Sequence, residues 1–106
     1  MEEFDFKTGM VILNDFDFIK SLEPGEQPED KLWSFKHDII QVKYKKGIVL
    51  DLGWLPEFDL EKGEFKLVII KERNWETPIF LKRTKSIKKI CEYITEAIEV
   101  AVNNER

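Results

Sequence analysis

A chain of 106 residues, 42% hydrophobic and 12% aromatic, is sized for one domain around one core, and it is too apolar to stay unfolded. Its formal net charge of −4 speaks against whole-chain affinity for nucleic acid, which draws on excess Lys and Arg, and suits a basic partner. The single cysteine, Cys91, excludes an internal disulfide, and one thiol with one histidine, His37, cannot furnish a Cys/His zinc site.

That cysteine usage fits a reducing compartment. The stretch MEEFDFKTGM lacks the basic region and apolar core of a secretory signal, and no apolar run reaches membrane-spanning length. The expected setting is therefore the cytoplasm, with a single domain over residues 1–106.

Charge is unevenly spread. Met1 to Lys31 holds nine acidic residues against three lysines, net −6, which leaves +2 for the remainder. Within this acidic part, Asn14-Asp15 after Val11-Ile12-Leu13 reads as a helix start, and Phe16 to Leu22 as a short helix stopped by Pro24-Gly25. GEQPED (Gly25 to Asp30) has no apolar period and reads as a loop.

From Leu32 the pattern changes to period two. Leu32 to His37 alternates, and Ile40, Val42 and Tyr44 continue the alternation, offset by Gln41, Lys43 and Lys45. Lys46-Gly47 supplies a residue able to take positive φ in a tight hairpin. Ile48 to Leu52 is nearly all apolar, as a central strand should be, and Phe65 to Lys71 is apolar on both faces. NWETP (Asn74 to Pro78) is a turn, followed by a short strand over Ile79 to Leu81.

Ile87, Ile90, Cys91, Ile94, Ala97, Ile98 and Ala101 recur at steps of three and four, one face of an amphipathic helix with Thr84 as the expected N-cap. The reading is an α+β domain: a four- to five-strand antiparallel meander, a C-terminal helix laid on one face, and a short N-terminal helix.

Catalytic chemistry has few candidates. Cys91 lies on the apolar stripe of the helix, where it reads as a small core residue rather than a nucleophile. His37 beside Asp38 could serve as a base or simply be solvated, and neither metal-loop spacing nor a Gly-rich phosphate loop occurs. The run Lys82, Arg83, Lys85, Lys88, Lys89 opposes the helix dipole; it reads either as a solvated face or as a patch for an acidic partner.

LDLGWLPEFDLEKGEF (Leu50 to Phe65) is overbuilt for a strand connection. Trp54 and Trp75 both stand beside turns, as lids over the core edge or as interface anchors. Around Trp54, the acids Asp51, Glu57, Asp59, Glu61 and Glu64 would complement a basic protein.

LDLGWLPEFD (Leu50 to Asp59), EKGEFKLVIIKERNWETPIF (Glu61 to Phe80) and the K-x-I spacing of the closing helix resemble the small cytoplasmic immunity proteins of bacterial contact-dependent growth inhibition and related polymorphic toxin systems. The signature is G-W-x-P-E, a strand, then W-E-x-P; it spans the C-terminal half to two-thirds of the chain and leaves the acidic N-terminal segment outside.

The resemblance implies a non-enzymatic, cofactor-free inhibitor. It would bind the toxic C-terminal domain of a cognate effector, often a basic nuclease, and block its active site or substrate surface. The resemblance transfers no specific contacts; charge and side-chain type instead suggest Asp15, Asp17, Glu29, Asp30, Glu57, Phe58, Asp59 and Glu61, with Trp54 as scaffold. No direct contact with nucleic acid or membrane is expected. A small adaptor using the basic run on an acidic protein or nucleic acid is the alternative, and a hydrolase using His37 or Cys91 a third.

Overall fold

The computed structural model of the chain describes residues 4–16 and 36–105. Its elements are β1 (Met10–Asn14), β2 (Ile40–Lys43), β3 (Ile48–Leu55), β4 (Glu64–Lys71), β5 (Phe80–Thr84) and one helix, α1 (Ile87–Glu105). The five strands pair antiparallel in chain order, so the sheet is a simple meander, with the nearly all-apolar β3 at its centre. The expected α+β architecture, with the helix on one face, is what forms. Among the described residues no helix is long and apolar enough to cross a membrane.

Alternation decides which face is covered. Leu50, Leu52 and Trp54 of β3 stand opposite Ile69, Leu67 and Phe65 of β4, and all six are buried. Against this face α1 lays Ile90, Ile94, Ala97, Ile98 and Ala101, its buried stripe. Each Leu, Ile or Phe buried there contributes roughly 1.5–3 kcal/mol, so this layer dominates the stability. Trp54 is only 3% exposed and meets Phe65 edge-on at 4.8 Å and 85°, a favourable aromatic geometry.

The β2–β3 hairpin turns through Lys46 (φ 61°) and Gly47 (φ 71°), and the Tyr44 N–H donates to the Ile48 carbonyl at 2.8 Å. The last turn of α1 is tied back to this hairpin. Buried Glu105 accepts from the Lys45 N–H at 3.0 Å and from the Thr8 hydroxyl, joining the N-terminal segment, the hairpin and the helix end.

Several elements differ from expectation. Val11, Ile12 and Leu13 belong to β1, an edge strand whose register shifts between Val11 and Leu13, rather than leading into a helix. The β-branched Val-Ile pair favours a strand there, and the bulge hides the alternation that would have revealed it. Asn14 does start a turn, its side-chain oxygen accepting from the Phe16 N–H at 3.2 Å; the rest of the expected helix over Phe16 to Leu22 lies outside the described residues.

Leu32 to Phe35 of the expected first strand also lie outside them. Of that strand's last two residues, Lys36 runs beside β3, its carbonyl accepting from the Trp54 N–H at 2.8 Å. The final strand runs over Phe80–Thr84, not Ile79 to Leu81. The helix is capped by Ser86, whose hydroxyl accepts from the Lys89 N–H at 3.1 Å, while Thr84 instead accepts from the Ser86 N–H.

Candidate functional site

The face of the sheet away from α1 begins with a directly opposed pair, Gln41 on β2 and Asp51 on β3. The Gln41 amide Nε2 donates to Asp51 Oδ2 at 3.0 Å and to Asp38 Oδ1 at 3.4 Å, so one side chain bridges two carboxylates. Val68 of β4 lies on the other side of Asp51.

Glycine sets the edge of this arrangement. The Ile39 N–H donates to Leu52 and the Trp54 N–H to Lys36, each at 2.8 Å, which leaves His37 and Asp38 opposite the single residue Gly53. That two-against-one count is a bulge, and it turns His37 and Asp38 out of the ladder. A Cβ on Gly53 would sit 1.9 Å from the His37 carbonyl oxygen, so only glycine admits the crossing. Gly53 therefore stays in β3, opposite Lys66, and the strand runs past the expected Ile48 to Leu52; pairing lapses after Leu55, where Pro56 follows.

The opposite wall comes from the β4–β5 connection. Glu72 (φ 54°) and Arg73 (φ 63°) turn the chain, and the Asn74 side chain accepts from the Thr77 N–H at 3.3 Å. This brings Trp75, 55% exposed, to the rim. His37, Asp51 and Trp75 are shared by two adjoining hollows of about 390 and 120 Å³, the smaller also lined by Leu55, Lys66 and Val68. Burial pushes the Asp51 carboxyl above its ordinary value; the Gln41 hydrogen bond opposes that, Asp38 adds to it, and His37 and Lys66 counter it more weakly.

The acidic corner after β3 is more ordered than its composition suggests. The Asp59 carbonyl accepts from Trp54 Nε1 at 2.9 Å and from the Gly63 N–H at 2.8 Å, and its carboxylate accepts from the Glu61 and Lys62 N–H groups at 3.1 and 2.9 Å. Asp59 is thus a turn-former, with its carbonyl and Oδ1 engaged. A Cβ on Gly63 would lie 2.0 Å from Trp54 Nε1, so glycine is needed here for close approach.

Glu57 accepts from the His37 N–H at 3.1 Å, which joins the corner to the recess, and Phe58 is exposed with φ 57°. Glu61 is exposed, and its carbonyl accepts from Lys85 Nζ. Asp15 pairs with Lys36 Nζ at 2.5 Å at the end of β1, while Asp17, Glu29 and Asp30 lie outside the described residues. Of the expected contact residues, the structure gathers Glu57, Phe58, Asp59 and Glu61 into one corner and engages Asp15 in an internal ion pair.

The basic run is divided among several elements. Lys82 lies over the Tyr93 ring at 5.5 Å, Arg83 reaches Glu64 at 3.9 Å, and Lys89 reaches Glu92 at 3.5 Å. Alternation along β5 sends Lys82 and Arg83 to opposite faces. Cys91 packs against the helix-side core whereas His37 lines the open face, so the sheet stands between them. No group of three or more His, Cys, Asp or Glu side chains is placed to hold a metal among the described residues.

The Gln41–Asp51–Asp38 bridge was not foreseen, though it had a signal: Asp51 is the one charged residue in the run IVLDLGWL, and Gln41 interrupts its own apolar strand. No protein-family model, curated protein or solved structure matches this chain.

Proposed function

We propose that the chain is a cytoplasmic immunity protein, a non-catalytic binder that neutralises a toxin domain with a basic surface, such as a nuclease presents to nucleic acid. The observation that carries this reading is the sheet face away from α1, where exposed Trp75 and Leu55 stand beside the carboxylates of Asp38, Asp51 and Glu57. An exposed aromatic rimmed by acids supplies both an anchor and electrostatic selection for a basic partner. Phe58 and Glu61 extend the same surface along the corner.

The geometry supports one adjustment to the expected contacts, at Asp59, and keeps the expected part of Trp54. Asp59 serves the corner's own backbone, so it supports the surface rather than meeting the partner. Trp54, enclosed by Phe65 and Asp59, is scaffold. The adaptor alternative draws little support from the basic run, four of whose five members, Lys82, Arg83, Lys85 and Lys89, have a partner within the chain.

The test is capture and rescue with the toxin domain encoded immediately upstream of this chain. Co-purification and loss of toxicity on co-expression are expected; toxicity unchanged by co-expression overturns the reading. Within it, Glu61→Lys slows association in a salt-dependent way with folding intact, because exposed charges act mainly on encounter. Asp59→Lys instead loosens the corner, seen as a changed Trp54 fluorescence.

A further inference from the structure

The wall, floor and acids of the open-face recess fit one kind of occupant. We propose that this recess is a socket for a single arginine side chain of the protein partner, with Trp75 as its aromatic wall and Asp38 and Asp51 as acceptors for the guanidinium. The proposal rests on the protein-binding reading for the source of the arginine, but the socket can be tested without any toxin.

Its chemistry selects a planar cation over a point charge. Asp51 Oδ2 and Asp38 Oδ1 both lie within hydrogen-bonding distance of the one Gln41 Nε2, at 3.0 and 3.4 Å, so the two carboxylates are close enough for a single fork of donors to span. Gln41 uses one oxygen of each, and Asp51 Oδ1 and Asp38 Oδ2 remain to accept. A guanidinium has five N–H donors in one plane and stacks on indole, whereas an ammonium offers a compact, strongly hydrated charge.

Space and local charge agree with this occupant. The larger hollow, about 390 Å³, is bounded by Trp75, His37, Asp38, Gln41 and Asp51. Leu55 and Val68 in the adjoining hollow offer apolar surface to the methylene stem. The chain's own cations leave room for this occupant: among the described residues none forms an ion pair with Asp51, Lys66 lines only the smaller hollow, His37 Nδ1 stands 3.9 Å from Asp38 Oδ1, and Arg83 is directed to Glu64 at 3.9 Å. Asp51 is already partly withdrawn from water in the free protein, so a partner's cation meets a carboxylate part of whose desolvation has been incurred.

The experiment titrates the isotope-labelled full chain with Nα-acetyl-arginine amide while following the Trp75 indole and Gln41 side-chain amide resonances. Saturable millimolar shifts at both are expected. The neutral isostere Nα-acetyl-citrulline amide should give none, and Nα-acetyl-lysine amide should bind about tenfold more weakly. Asp51→Asn and Trp75→Ala should each weaken the arginine response by about tenfold, with the Trp54 indole resonance unchanged as a report that the core is intact. Should Asp51→Asn perturb the fold, exposed Asp38→Asn provides the same comparison. Absence of saturable shifts, or equal shifts with citrulline or in folded variants, overturns the socket. Retained toxin capture alongside a failed titration removes the socket alone, whereas a working titration without toxin capture removes the immunity reading alone.

Discussion

The two faces of the sheet are made by the same strands and differ residue by residue. On the helix side, β3 presents Ile48, Leu50, Leu52 and Trp54, all buried under α1 or the segments around it. One residue out of phase, the same strand presents Val49, Asp51, Gly53 and Leu55 to the other side, where no helix lies among the described residues. The first set can only be satisfied by a cover; the second mixes a carboxylate, a bare backbone and an aliphatic side chain. Stability is therefore concentrated on the helix side, and on the other, where β4 buries Val68 and Ile70 and Gly53 is fixed by its crossing, positions such as Asp51 and Leu55 are left able to vary. For a protein that must match a particular partner, that separation lets recognition change while the fold is retained.

The sharpest break of this contrast is Phe65→Ala. It removes the ring that meets Trp54 and Phe16 on the covered face, and should lower unfolding free energy by about 3–5 kcal/mol in denaturant titrations. A stability loss no larger than that of an exposed site would mean that the helix side does not carry the fold.

Gly63→Ala comes next, because its Cβ collides with the Trp54 indole nitrogen and the Asp59 carbonyl. A loss of roughly 1–3 kcal/mol is expected, together with a shifted Trp54 emission as the indole loses its acceptor.

Tyr44→Phe should act in the opposite direction. The Tyr44 hydroxyl is buried without a hydrogen-bond partner among the described residues, so its removal is expected to stabilise by about 1 kcal/mol. Burial, with Glu105 and Asp5 adding repulsion, pushes the Tyr44 hydroxyl up from 10.0 to about 12. A raised folded value means stability that is present below pH 10.0 and lost as pH rises toward about 12, and the phenylalanine variant should lack this decline.

The smallest effect belongs to the open face. Because burial raises the Asp51 carboxyl in the folded chain, its protonated form stabilises the fold at low pH, and that contribution is lost as pH climbs from 3.8 through the raised value. Asp51→Asn should flatten that part of the pH–stability profile and leave the fold at least as stable at neutral pH. A profile identical to that of the parent would show that the recess does not desolvate Asp51.

Most of the covered side could be read from sequence, and for a physical reason. Period-two alternation and the three-four stripe of α1 follow from which side chains avoid water, so β3, β4 and the helix appeared where expected. The open side depends on features that periodicity does not record. The His37–Asp38 bulge exists because Gly53 lacks a Cβ to block it, and a sequence shows the glycine without showing what crosses it. Asp59 counted as one acid among several, and only its bonds to the Glu61 and Lys62 backbone distinguish turn-maker from contact. The basic run appeared as one patch because its members are neighbours in the chain, whereas strand alternation divides Lys82 from Arg83.

Glu105 has a consequence for the order in which the fold completes itself. Each strand of the meander needs only its neighbour in sequence, but the Glu105 carboxylate joins partners separated by 60 and 97 residues. Closing such long loops costs more chain entropy than forming any hairpin of the sheet, and the cost is recovered only once the hairpins hold the two ends in place. The carboxylate is thus a latch that fastens after the sheet has formed. Glu105→Gln should speed unfolding while leaving the folding rate nearly unchanged.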